Sequence, residues 1–120
     1  MDDDEVFCNF MRRVLNRLGY HAGIAGDGEA AVELYRKSFE SGDPFDAIIV
    51  DLKIPGGMGG EEAIKRLLEI DPRVKAIASS GYSNDPIIAN YREYGFRGAL
   101  AKPYTVEELA GTLDRISRET

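Results

Sequence analysis

Apolar residues recur along this chain in two rhythms, one near a period of 3.6 and one of short unbroken runs. Between residues 6 and 18, Phe7, Phe10, Met11, Val14, Leu15 and Leu18 fall at i, i+3, i+4, i+7 and i+8 spacing. That spacing predicts one helix with one buried face, and Gly19 can end it. Residues 20–26 suit a short strand. Asp27 then reads as the N-cap of a helix holding Ala30, Ala31, Leu34 and Tyr35, and SGDP at 41–44 breaks the chain. The run 46–51 predicts a buried strand, followed by a loop with four glycines around Met58. Ala63, Ile64, Leu67 and Leu68 mark the next helix, which Asp71-Pro72 stops. Residues 74–81 predict another buried strand. Ile87, Ile88 and Tyr91 give helical spacing over 84–95, and 98–103 form a last short strand. Thr105 caps a final helix with Val106, Leu109, Ala110, Leu113 and Ile116 facing inward.

Strands alternating with amphipathic helices imply a parallel sheet covered on both faces, and right-handed crossovers make it an open doubly wound α/β sheet. The order is unusual in opening on a helix. In such a sheet, ligands bind beyond the carboxyl ends of the strands. Asp51 ends one strand; Ser79, Ser80 and Gly81 end the next; Lys102 ends the last. Asp2, Asp3 and Asp4 precede the first helix, where the end of a missing strand would lie. Acids, a hydroxyl and a lysine converging on one edge suit phosphoryl transfer. Clustered carboxylates are hard oxygen ligands for Mg²⁺, and a carboxylate beside the metal can act as nucleophile and form an acyl phosphate. Lys102 supplies a point charge for a phosphate oxygen, and Ser80 a hydroxyl donor. The glycines after Asp51 keep that loop low, so a phosphate donor can approach.

Composition narrows the setting. The 120 residues suffice for one domain, here taken as 1–120. A net charge of −6 argues against a nucleic-acid surface. No apolar run reaches membrane-spanning length and the N-terminus is acidic, so no direct membrane contact and no signal peptide are expected. The single cysteine, Cys8, fits a reducing cytoplasm and reads as a buried, inert thiol. GGMGG is not followed by GK[ST], so it is no P-loop. His21 reads as a surface histidine, and Tyr91, Tyr94 and Phe96 as packing residues.

The pieces MDDDEVF, LGYHAGIAGDGEAAVELY, FDAIIVDLKIPGGMGG, AIASSGYS and GALAKPY, in that order and spacing, resemble the receiver domain of two-component response regulators. The DLKIPGGMGG run is similar to receivers of hybrid sensor histidine kinases. The resemblance implies a flavodoxin-like receiver fold with strand order 2-1-3-4-5, the first strand being absent or truncated in this chain. It implies Asp51 as phosphoacceptor. Asp2, Asp3, Asp51 and the Lys53 backbone carbonyl are the implied Mg²⁺ ligands. Ser80 is implied as the hydroxyl switch and Lys102 as the phosphate-binding lysine before Pro103. The implied partner is a histidine kinase or histidine phosphotransfer domain, and the activity that of a signalling module catalysing its own phosphorylation and dephosphorylation, not a conventional enzyme. Ala99 stands where the family usually has Tyr or Phe, so the response is expected to run from Ser80 to about Tyr91.

Other readings remain beside this one. Asp51 could cap a strand end and nothing more. Asp4 and Glu5 suit solvated charges at a helix N-terminus, and Ser79 suits a structural serine. Functional alternatives are a degenerate receiver that binds without phosphorylation, a Mg²⁺-dependent phosphohydrolase of haloacid dehalogenase type, and a flavodoxin-type flavin-binding domain. The phosphohydrolase wants a second acid two residues after its nucleophile, where this chain has Lys53. The missing strand would be the central one, so an apolar strand of roughly five residues is expected just upstream of Met1. Failing that, strand 20–26 must pair directly with strand 46–51, or a second chain must fill the gap.

Overall fold

The computed structural model describes residues 3–25, 28–52, 58–81, 86–101 and 104–118. In chain order the elements are α1 (Asp3–Leu18), β1 (Ala22–Ala25), α2 (Gly28–Glu40), β2 (Ala47–Leu52) and α3 (Met58–Ile70). Then come β3 (Ala76–Ser80), α4 (Pro86–Ala89), α5 (Tyr91–Tyr94), β4 (Gly98–Ala101) and α6 (Val106–Ser117).

The four strands are all parallel and lie in the order β1-β2-β3-β4. β1 and β2 are direct neighbours, with Ala22 opposite Ala47 and Ala25 opposite Val50. This is the order 2-1-3-4-5 without strand 1, its two neighbours paired with each other. Within residues 1–120, strand 22–25 pairs directly with strand 47–52. The closure needs a close approach, and Gly23 permits it. A Cβ at that position would lie 2.9 Å from Ile48 Cδ1 and 3.0 Å from the Phe45 ring.

The strands are short apolar runs because both faces of the sheet are covered. On one face α2, α3, α4 and α5 pack Ala31, Val32, Tyr35, Ile64, Leu67, Ile87 and Phe96 against Ile48, Val50, Leu52, Ala76 and Ala78. On the other, α1 and α6 pack Met11, Leu15, Leu109, Leu113 and Ile116 against Ile24, Ile49, Ile77 and Leu100. The split follows strand alternation: in β2 and β3 every second residue belongs to the same face.

Gly19 ends α1 in the left-handed region, at φ 86°, and Tyr20 N returns to Leu15 O at 3.1 Å. Thr105 forms a full capping box with Glu108 at the start of α6. α3 stops at Ile70, as Asp71-Pro72 predicts. Phe96 is buried, and Tyr91 and Tyr94 pack partly buried against the core.

Four expectations need correction. The helix expected over 84–95 is two four-residue helices that meet at Asn90. Phe10 and Leu18 are 54% and 44% exposed instead of buried, because α1 lies on the sheet through Met11 and Leu15. Ala30 is exposed, and Val106 stands at the exposed end of α6. The expected Asp27 cap and the Cys8 side chain lie outside what is described.

Candidate functional site

Asp51 is the fifth residue of β2, at its carboxyl end, and only 4% exposed. An Asp in a strand that is otherwise Ala, Ile, Ile, Val and Leu is costly unless its charge is compensated. Among the described residues it keeps company with two buried hydroxyls, Ser79 and Ser80, at the carboxyl end of β3.

Register separates those two serines. Asp51 lies opposite Ser79, and Ser79 lies opposite Leu100 of β4. Ile49, Ile77 and Leu100 belong to the α1/α6 face, so by strand alternation Asp51 and Ser79 share that face. Ser80 lies opposite Leu52, and Leu52 and Ala78 belong to the α2/α3 face. Ser80 is therefore the terminal β3 residue and turns toward the other layer. The buried Ser79 hydroxyl has no hydrogen-bond partner among the described residues.

α1 runs into Gly19-Tyr20 and then into the amino end of β1, so it is antiparallel to the strands. Arg12 fixes that crossing, with Nη2 donating to Ile24 O at 2.9 Å. The first turn of α1, beginning at Asp3, thus lies toward the carboxyl edge where Asp51 sits. Asp2, Lys53 and Lys102, three of the residues expected in the site, lie outside the described residues, as does the side chain of Asp3. A buried, hard-oxygen carboxylate at the strand end fits a small divalent cation such as Mg²⁺. Among the described residues no group of three or more His, Cys, Asp or Glu gathers to hold a metal. Ala99 lies opposite Ala78 in β4, on the α2/α3 face.

Sequence reasoning placed Asp51 and Ser80 at this edge. What the strand pattern alone does not carry is the register that sets Ser79 opposite Asp51.

Other features belong elsewhere. His21 is exposed at the amino edge, with Nε2 3.2 Å from Asp43 O and its ring against Phe45. An open groove of about 620 Å³ between α2 and α3 is lined by Arg36 and Arg66, each paired with an acid on its own helix. No helix among the described residues is long and apolar enough to cross a membrane.

The comparisons with known proteins agree with this geometry. Chemotaxis protein CheY of Thermotoga maritima is 28% identical over 118 residues, which cover 97% of this chain and 93% of that one. Sporulation initiation phosphotransferase F of Bacillus subtilis is 29% identical over 109 residues, covering 91% and 83%. A receiver domain of a sensor histidine kinase from Pseudomonas aeruginosa PAO1 superposes with a TM-score of 0.73 at 25% identity, covering 99% and 94%. That structure holds a magnesium ion coordinated in its active site cleft. The sequence model of the response regulator receiver domain matches residues 1–114. With the parallel sheet and a buried aspartate near the carboxyl end of its second strand, this match places the chain in the response regulator receiver domain family of two-component signalling.

Proposed function

We propose that residues 1–120 form one receiver domain that takes a phosphoryl group onto Asp51 from a histidine kinase or histidine phosphotransfer domain and changes its binding surface in response. The observation that carries this reading is the burial of Asp51, a carboxylate at the carboxyl end of an apolar strand in a receiver-family sheet. Membership of that family sets aside the phosphohydrolase and flavin-binding readings.

A carboxylate oxygen of Asp51 attacks phosphorus in the donor phosphohistidine. The O–P bond forms, the N–P bond breaks, and its electron pair stays on the imidazole nitrogen, which picks up a proton. The chain's work is positioning and charge neutralisation. Asp2, Asp3, Asp51 and the Lys53 carbonyl would hold Mg²⁺. When bound, the ion supplies positive charge to Asp51 and to the incoming phosphoryl oxygens. Lys102 follows the last residue of β4 and would set its ammonium against one phosphoryl oxygen. Ser80 would donate its hydroxyl to another.

Acetyl phosphate with Mg²⁺, read by intact mass, tests the assignment. The chain should gain one phosphoryl group, Asp51→Asn should gain none, and Asp46→Asn should label as the parent does. Asp46 serves as control because its Oδ2 accepts from His21 N at the opposite edge of the sheet. A full equivalent on the Asp51→Asn chain would show that another residue is the acceptor.

A further inference from the structure

β3 reads Ala76, Ile77, Ala78, Ser79, Ser80, and every one of these residues is buried. At Ser79, 1% exposed, an alanine would satisfy packing at lower cost, since the hydroxyl Oγ has no hydrogen-bond partner among the described residues. An unpaired buried hydroxyl has lost its water and gained nothing in return. Such groups in folded proteins call for an explanation, and one explanation is a partner that arrives in another state of the molecule.

The register says which partner. Ser79 is the β3 residue directly opposite Asp51. In a parallel pair, residues in register stand on the same face with their strands about 4.8 Å apart. Ile49 and Ile77, two residues earlier on each strand, lie together in the α1/α6 core, and Leu100 flanks Ser79 from β4 on that same face. Among the described residues, the apolar Ile77 and Leu100 flank Ser79 on that face. Among the described residues, the polar side chain that register sets beside it is that of Asp51. Ser80 is the last residue of β3 and lies opposite Leu52, so it approaches the strand end from the other layer.

We infer that the Ser79 hydroxyl is a ligand of the aspartyl phosphate: once Asp51 is phosphorylated, Ser79 Oγ donates a hydrogen bond to an oxygen of the acyl phosphate from the α1/α6 side, while Ser80 serves the group from the other layer. The inference rests on the phosphoacceptor reading of Asp51. Phosphorylation adds three acceptor oxygens to a site where one donor stands ready, with no reorganisation of the strand. The hydroxyl is then a cost in the free domain and a gain in the phosphorylated one. Its presence tilts the equilibrium between the two states.

That opposition of signs makes the test. Ser79→Ala removes the unpaired hydroxyl and leaves the packing. The free variant should therefore unfold at a temperature equal to or a few degrees above the parent. Its affinity for beryllofluoride with Mg²⁺, a mimic of the phosphoryl group, should fall about tenfold, the scale of one hydrogen bond to a charged acceptor. Ser79→Thr keeps the hydroxyl and should restore the affinity. A merely structural serine predicts otherwise, because its loss would change stability and leave mimic affinity untouched. Unchanged beryllofluoride binding in Ser79→Ala, with a parent chain that binds the mimic and labels on Asp51, overturns this inference alone. A parent chain that neither binds nor labels removes the phosphoacceptor reading and this inference with it.

Discussion

The phenol of Tyr35 lies in the core yet ends on a carboxylate, its hydroxyl donating to Asp71 Oδ2 at 2.7 Å. Asp71 Oδ1 accepts from Arg73 N at 3.0 Å, so one side chain ties α2 to the turn that leaves α3. Burial, then the hydrogen bond to Asp71 and its negative charge, push the Tyr35 phenol well above its ordinary range. The folded chain therefore holds this proton more tightly than the unfolded chain does. The stabilisation is fully present below the unfolded tyrosine value of about 10 and is lost as pH rises beyond it. Tyr35→Phe should cost about 1 kcal/mol near neutral pH and flatten the alkaline loss of stability. Urea unfolding at neutral pH and above about pH 10 measures both; an identical alkaline slope in parent and variant would refute the coupling. Helical spacing placed Tyr35 inside, but Asp71 was legible only as a helix stop, because the Tyr35–Asp71 bond joins elements 36 residues apart. The same limit explains Ser79. A one-residue shift in register moves every side chain of a strand to the other face, and nothing local in AIASSG says which serine meets Asp51.

At the scale of elements, the patterns of period and punctuation were sufficient where packing follows them. Leu109, Leu113 and Ile116 are buried on α6 behind the Thr105 capping box, as their spacing requires. They failed where a helix meets less surface than its apolar stripe could cover. α1 offers six apolar positions, and the sheet beneath takes Met11 and Leu15 fully. They also failed at Asn90, which divides one expected helix into α4 and α5 of four residues each. Helices so short cannot hold themselves and depend on Ile87, Ile88 and Tyr91 packing against the core. This stretch follows Ser80 in the chain, and with Ala99 small where the family usually has a ring, we propose that the response runs through it. Amides of 86–94 should exchange quickly in the free domain and slow severalfold on adding beryllofluoride with Mg²⁺. Changes confined to α1 and α2 would contradict that assignment.

For the molecule as a whole, the decisive contact is the one between β1 and β2. The strand order 2-1-3-4-5 has a strand between these two, and without it both facing edges would carry unpaired N–H and C=O groups, which are costly when buried. The chain resolves this by joining the edges along 22–25 and 47–50, with Gly23 giving room for Ile48 and Phe45. Period and charge along the sequence do not fix which strands become neighbours; that follows from pairing in the assembled sheet. The closed sheet and an inserted strand are mutually exclusive, since a strand entering the sheet must break the Gly23–Ile48 pairing. An apolar strand of about five residues added ahead of Met1 should therefore erase the nuclear Overhauser contacts between Gly23 and Ile48. The extended chain would form two ladders where the 120-residue chain has one, and would bring the first acidic residues onto a rigid strand end. Its midpoint of thermal unfolding should rise, and its Mg²⁺ affinity with it. If the Gly23–Ile48 contacts persist in a monomer of equal stability and equal Mg²⁺ affinity, the closed four-stranded sheet is the preferred state and the inserted strand is dispensable.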